Sequence, residues 1–325
     1  MKVALIVLYF GKLPNYFSLF LKSCEVNKDF TWLIFTDDQT KFNYPENVKK
    51  IDMKFEQCQN LFQQKFDFDI ALKTPQKLCD YKCAYGYILK DYIKDYEFWG
   101  HCDIDLIFGN LSNFVTKELL QNYDKLYTLG HLTIYRNYEL INRQFMNEIN
   151  GQYRYKQVFT DDNGCGFDEW IGENINNIFY NTEYRFLDTA IGADLDPYNT
   201  SFVLVWYDKQ NQRYIRDTVK NNVFEWKNGN LYRFYENEEK NEIIKEEFPY
   251  VHFQKRNMNF NKKILDVDDF FVIPNKFISE NKDVKSMLDI AKKLSVINYQ
   301  YFKVKYKSLK SRLKNKNFNF SNVFK

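Results

Sequence analysis

Cysteine is scarce in this chain. Six residues in 325 (Cys24, Cys58, Cys79, Cys83, Cys102 and Cys165) lack the density and spacing of a disulfide framework, so reduced thiols and a cytoplasmic setting are the expectation. Long hydrophobic runs are missing too. The opening MKVALIVLYFGK carries about eight apolar residues before Gly11 and Lys12 interrupt it, against the roughly 20 that a membrane span needs, and it has no signal-type cleavage site. With 11 glycines and 6 prolines the chain shows no Gly/Ser linker, and it has no internal repeat. An excess of charge is absent as well, since 46 basic residues stand against 43 acidic ones. Eight of those bases lie between Tyr301 and Lys325, where there is no acid, so the rest of the chain holds 38 bases against 43 acids. A mildly acidic body excludes a nucleic-acid binder, whose main surface must be positive. The basic tail, interleaved with Tyr301, Phe302, Val304, Tyr306, Leu309 and Leu313, suits an anionic membrane surface, with a solvated chain end as the plainer alternative.

What is present is a globular composition: 45% hydrophobic and 19% aromatic residues are too many for disorder. Val3–Phe10 reads as a strand buried on both faces. Asn15–Glu25 has helical spacing, with Asn15 as N-cap. Strands over Thr31–Phe35 and Val48–Met53 and helices near Glu56–Phe66 and Leu78–Lys94 complete an alternation that predicts a mostly parallel α/β sheet. Further on, Lys125–Tyr135 reads as one strand, Tyr153–Phe159 as loop or edge strand and Asp168–Tyr180 as a helix. Val223–Trp226 and Leu231–Tyr235 flank Asn228-Gly229, the strongest short hairpin signal. The organisation expected is one α/β body over residues 1–260 and a helical extension with a basic tail over 261–325.

Within FWGHCDIDLIFGNL, Asp103 and Asp105 flank Ile104 at the end of an apolar strand. Carboxylates in such a frame need a partner. Two of them at a strand end can reach one hard cation, Mn²⁺ or Mg²⁺, and leave its other positions to phosphate oxygens. A D-x-D alone is a weak signal, and a solvated turn is its plain reading. Asp37 and Asp38 end the second strand, so both acidic pairs fall on the carboxyl-end rim where open α/β sheets bind ligands. Cys79-x-x-x-Cys83 lacks a second ligand pair for zinc and reads as buried thiols. Asp194-x-Asp196, followed by Pro197, reads as a loop.

At this point the sequence resembles the GT-A glycosyltransferases, a Rossmann-like nucleotide-diphospho-sugar transferase fold with an acidic D-x-D after a central strand. More closely, it is similar to poorly characterised bacterial glycosyltransferase-like proteins of capsule and polysaccharide loci. These share the order KLCDYKCAYGYIL (77–89), FWGHCDIDLIFGNL (98–111), GHLTIYRN (130–137), GCGFDEW (164–170) and YVHFQKRNM (250–258), over about residues 1–260. The resemblance implies an inverting, metal-dependent sugar transfer. The donor would be a nucleotide sugar, a UDP-sugar foremost, and the acceptor a glycan or lipid-linked oligosaccharide. The enzyme would be cytoplasmic, on the inner face of the membrane through residues 301–325. It implies His252 as third metal ligand, with His101 as competitor, and Lys255 on the diphosphate, with Arg256 as alternative cation. Asp37 and Asp38 would hold base or ribose, though they could equally cap the next turn. Asp80 and Lys82 would contact the nucleotide sugar, or form an ordinary charged helix end. Asp168 or Glu169 would be the base that deprotonates the acceptor, unless both serve only the helix dipole. Trp170 could stack on a sugar face. A sugar nucleotidyltransferase would show a Gly-rich basic loop after the first strand, where only Gly11 and Lys12 stand; a non-catalytic carbohydrate or nucleotide binder is the remaining alternative.

Overall fold

The structure, a computed structural model, describes residues 1–219, 221–237, 239–254, 256–279, 283–294, 302, 305, 306 and 309. Lys255 and nearly all of the 301–325 tail therefore lie outside the described residues. No helix among the described residues is long and apolar enough to cross a membrane.

Strands β1 (Val3–Leu8), β2 (Phe30–Thr36), β3 (Val48–Asp52), β4 (Phe98–Cys102), β5 (Leu106–Phe108), β6 (Lys125–Leu129), β7 (Leu132–Arg136) and β8 (Phe186–Leu187) belong to the first half of the molecule. Seven of them form one sheet in the order β3-β2-β1-β4-β7-β6-β8. The β1–β2, β1–β4, β2–β3 and β6–β8 pairs are parallel, and β7 runs antiparallel to both β4 and β6. The expected parallel-rich α/β sheet flanked by helices is the fold observed. The continuous apolar run of β1 has a direct cause in this layering. Val3, Leu5 and Val7 join Phe17, Phe20 and Leu21 of the helix Phe17–Glu25 on one face. Ala4 and Ile6 join Tyr81, Ala84, Tyr85 and Ile88 on the other. Alternation along a strand sends neighbours to opposite faces, so only an unbroken apolar run fits.

The later strands are β9 (Ala193–Asp194), β10 (Val205–Asp208), β11 (Arg213–Arg216), β12 (Asn222–Lys227), β13 (Asn230–Asn237), β14 (Glu242–Phe248), β15 (Tyr250–His252), β16 (Asp269–Ile273) and β17 (Lys276–Ile278). They make an antiparallel sheet β14-β13-β12-β16-β17, a hairpin β10-β11, and a small sheet β5-β15-β9 that joins the two halves. The β12–β13 hairpin turns at Asn228-Gly229, as the Asn-Gly pair predicts.

Several local expectations change. Lys125–Tyr135 is a hairpin, not one strand: β6 and β7 turn at Gly130-His131. Arg154–Thr160 is a helix, because its buried residues Tyr155, Val158 and Phe159 follow a spacing of three and four rather than two. In place of a helix over Asp168–Tyr180, helix begins only at Ile175, capped by the Asn174 side chain. Leu78–Lys94 is a series of short helical turns. Residues 269–278 of the expected helical extension are instead the strands β16 and β17 at the edge of β12, and helix returns at Val284–Leu294, packed through Met287, Leu288 and Ala291.

Strand β4 is locked by Trp99, which stacks on Tyr135 with ring centroids 4.6 Å apart and donates Nε1–H to Asn142 at 2.6 Å. Gly86 lies flat against this indole, and a Cβ there would sit 2.3 Å from the ring. Gly86→Ala should therefore lower unfolding stability by about 1–3 kcal/mol, the usual penalty for overpacking, read as a fall in the midpoint of chemical denaturation.

Candidate functional site

The carboxyl ends of β1, β2 and β4 share one rim. The sheet order reverses at β1, with β2 and β3 on one side and β4 on the other, and a crevice opens at such a point. Asp103 and Asp105 leave β4 here. The chain returns at once as β5, which pairs with β15 so that Leu106 lies opposite His252; β15 pairs with β9 so that His252 lies opposite Asp194. Strand register thus brings together residues far apart in the chain, Asp103 with Asp194 and His252.

Within this row, Asp103, Asp105 and His252 form a group that could hold a cation. His252 Nε2 is 3.3 Å from Asp105 Oδ1 and 3.7 Å from Asp103 Oδ2. These three side chains have ligand atoms within 4.8 Å of one another. On its other side, His252 Nδ1 is 2.8 Å from Asp194 Oδ1, which also accepts from Gln254 Nε2 at 2.8 Å. A carboxylate on Nδ1 turns the Nε2 lone pair toward the clamp and raises its basicity. Two carboxylates and an oriented imidazole make a donor set that could hold a divalent cation. Burial disfavours charge on His252, but Asp105 and Asp194 outweigh it and hold the imidazole pKa well above its ordinary value.

Lys82 is buried against this cluster. Its ammonium donates to Asp103 Oδ1 at 2.6 Å and to Gly130 O at 2.9 Å, and lies 3.4 Å from Asp168 Oδ2. Burial pushes the Asp168 carboxyl above the usual carboxylate range, with Lys82 opposing and Glu169 reinforcing the shift. Glu169 is partly exposed, and its Oε2 accepts from the Tyr214 hydroxyl of β11 at 3.0 Å. Both carboxylates lie over Gly130, where a Cβ would fall 2.2 Å from Asp168 Oδ2 and 2.9 Å from Glu169 Oε1. Gly130→Ala must displace them. It should lower unfolding stability by about 1–3 kcal/mol, the usual penalty for overpacking, read as a fall in the thermal midpoint.

The other candidates divide. Asp80 is buried and given wholly to the chain: it pairs with Lys77 at 2.8 Å and accepts the backbone N–H groups of Cys165 and Phe167, so it pins the loop that carries Asp168. Asp37 and Asp38 accept from the Gly11 and Leu13 amides and tie down the loop after β1. Asp37 also lines a cavity of about 580 Å³ with Gln39, Asp52, Met53, Lys54 and Gln57. Arg256 is buried and donates to the carbonyls of Asp196, Asn199 and Ser201. His101 is buried within β4, with Nδ1 on Gly130 O at 3.0 Å, and belongs to neither group of side chains able to hold a cation among the described residues. Trp170 stacks on Tyr207 at 4.9 Å. Sequence reasoning missed Asp194, which it placed in a loop; the only signal was the need of His252 for an acceptor on its second nitrogen. Gly130, His131, Gln254 and Tyr214 carried no signal that the sequence alone distinguishes.

The model of one protein family, described as a family of unknown function (DUF6625), matches residues 5–281. The chain belongs to that family. No curated protein matches it. Among solved structures, this DUF6625 chain is similar to galactosyltransferase LgtC in complex with donor and acceptor sugar analogs (10% identity, 60% of this chain and 76% of that one, TM-score 0.34). It is also similar to an active-site mutant of LgtC (11%, 60% and 75%, 0.33) and to a glycosyltransferase involved in glycosylation of the major capsid of PBCV-1 (7%, 60% and 86%, 0.31). Likenesses this remote carry no argument about activity, which rests on the groups of the site.

Proposed function

We propose that this chain is a metal-dependent glycosyltransferase that takes a sugar from a nucleoside diphosphate and places it on a glycan or lipid-linked glycan hydroxyl. The observation that carries the reading is the clamp itself: Asp103, Asp105 and an imidazole oriented by Asp194 converge at the carboxyl-end crevice of an open α/β sheet. A divalent cation bound there would supply charge neutralisation for a departing nucleoside diphosphate. Lys82 holds Asp103 in place and balances part of the acidic cluster. The cavity beside Asp37 offers space for the nucleoside, with UDP as the first nucleotide to test.

Of the two candidate bases, Glu169 fits the acceptor side better. It is partly exposed and bears no ammonium among its described partners, whereas Asp168 is buried beneath Lys82. In an inverting transfer the acceptor oxygen bonds to the anomeric carbon as the bond to diphosphate breaks, and the hydroxyl proton passes to Glu169. Residues 301–325, through their unopposed bases, would hold the enzyme on an anionic membrane surface; deletion of this tail should abolish pelleting with anionic vesicles.

The test is nucleotide release from a panel of UDP-, GDP- and CMP-sugars with Mn²⁺ or Mg²⁺ and simple glycoside acceptors. Metal-dependent turnover of one donor class is expected. Turnover of none, with the protein folded and metal-loaded, would refute the reading.

A further inference from the structure

Behind the clamp stands a second cluster that this reading leaves unused. His131, in the β6–β7 turn, is 2% exposed, and its ring lies 4.7 Å from that of His252. The Tyr250 hydroxyl donates its one proton to the Ile191 carbonyl at 2.6 Å. The 2.6 Å contact between His131 Nδ1 and the same hydroxyl oxygen must then take its proton from the imidazole. His131 is thereby fixed as the Nδ1–H tautomer, and Nε2 bears a lone pair.

That lone pair has no hydrogen-bond partner among the described residues. It faces Asp194 Oδ2 at 3.9 Å, while Asp194 uses Oδ1 for His252 and Gln254. Two acceptors confront each other inside the protein, too far apart for a direct hydrogen bond even with a proton on Nε2. Such a gap is costly unless something electropositive fills it. The surroundings favour positive charge: the carboxylates of Asp103, Asp105, Glu169 and Asp194 outnumber the cations Lys82 and His252 among the described residues here.

We propose that His131 Nε2 and Asp194 Oδ2 ligate a second divalent cation, of the class that accepts imidazole nitrogen, separate from the ion of the Asp103–Asp105 pair. A Zn²⁺-like ion at about 2.0–2.1 Å from each donor would draw the two together from 3.9 Å to the roughly 3.4 Å of a tetrahedral site. Of the group His131, Asp194 and His252, whose ligand atoms lie within 4.8 Å of one another, His252 is already used, Nδ1 by Asp194 and Nε2 by the first ion, so the remaining positions of the second ion fall to water. Imidazole with carboxylate selects Zn²⁺, Co²⁺ or Ni²⁺ over Mg²⁺. Asp194 links the two sites, orienting His252 with one oxygen and binding the second ion with the other.

The test is a titration of chelator-stripped, full-length protein with Co²⁺, following heat and visible absorption, in the absence of nucleotide or sugar. Two equivalents are expected. His131→Gln should lose one of them, and paired Asp103→Asn/Asp105→Asn the other. Tyr250→Phe keeps both donors but frees the tautomer, so it should weaken the second equivalent at least tenfold; it also answers the question if His131→Gln fails to fold. A single equivalent in the unmodified protein, with a bound water filling the gap, would overturn the proposal. So would two equivalents that keep their affinity in both His131→Gln and Tyr250→Phe. Because no donor or acceptor enters the assay, this result is independent of the proposed sugar transfer.

Discussion

Asp103→Asn and Asp105→Asn should each reduce metal-dependent nucleotide release by about 1,000-fold or more, since a bound cation contributes several kcal/mol to a transition state. Asn keeps the shape of each side chain and removes the charge that binds a hard cation. For Asp103 the change also frees Lys82, whose shortest contact is Asp103 Oδ1 at 2.6 Å. For Asp105 it removes the carboxylate nearest His252 Nε2. The two variants should therefore agree in lost turnover and differ in the environment of Lys82. Comparing kcat/KM across Mn²⁺ concentrations checks this, with circular dichroism as control for folding. Full turnover in both variants would remove the clamp from the mechanism.

Asp80→Ala should cost about 3–5 kcal/mol of stability, because one partner of a buried ion pair is left alone. The Lys77 ammonium would keep the Asn163 carbonyl at 2.6 Å, and the amides of Cys165 and Phe167 would lose their acceptor. The loop that carries Asp168 and Glu169 would loosen, so activity should fall further than stability alone requires. Pairing the change with Lys77→Met removes the stranded charge and should recover part of the stability, a coupling measurable by a double-mutant denaturation cycle. If Asp80→Ala melts like the unmodified protein, the buried pair is not structural.

Much of the fold was legible because β1, β2 and the Asn228-Gly229 hairpin carry local signals: unbroken apolar runs and a turn dipeptide. The D-x-D and His252 were legible by residue type. Their partnership was expected from the resemblance alone, because no local signal reveals the β5–β15–β9 register between segments far apart in the chain. Asp194 was misplaced for the same reason, since a strand of two residues has no periodicity to read. Asp80 was expected on the nucleotide sugar or at an ordinary charged helix end; only the tertiary approach of 163–167 makes it a buried anchor of that loop. Gly130 illustrates the opposite limit, where a residue matters for the atom it lacks.

The most direct measurement is calorimetric titration of UDP into the protein with and without Mn²⁺, repeated with Asp105→Asn and with other nucleoside diphosphates. A clamp that bridges protein and diphosphate predicts binding of one nucleotide class that strengthens at least tenfold with Mn²⁺ and loses that gain in Asp105→Asn. Binding that ignores both the cation and the substitution, or no nucleotide binding at all, would contradict it.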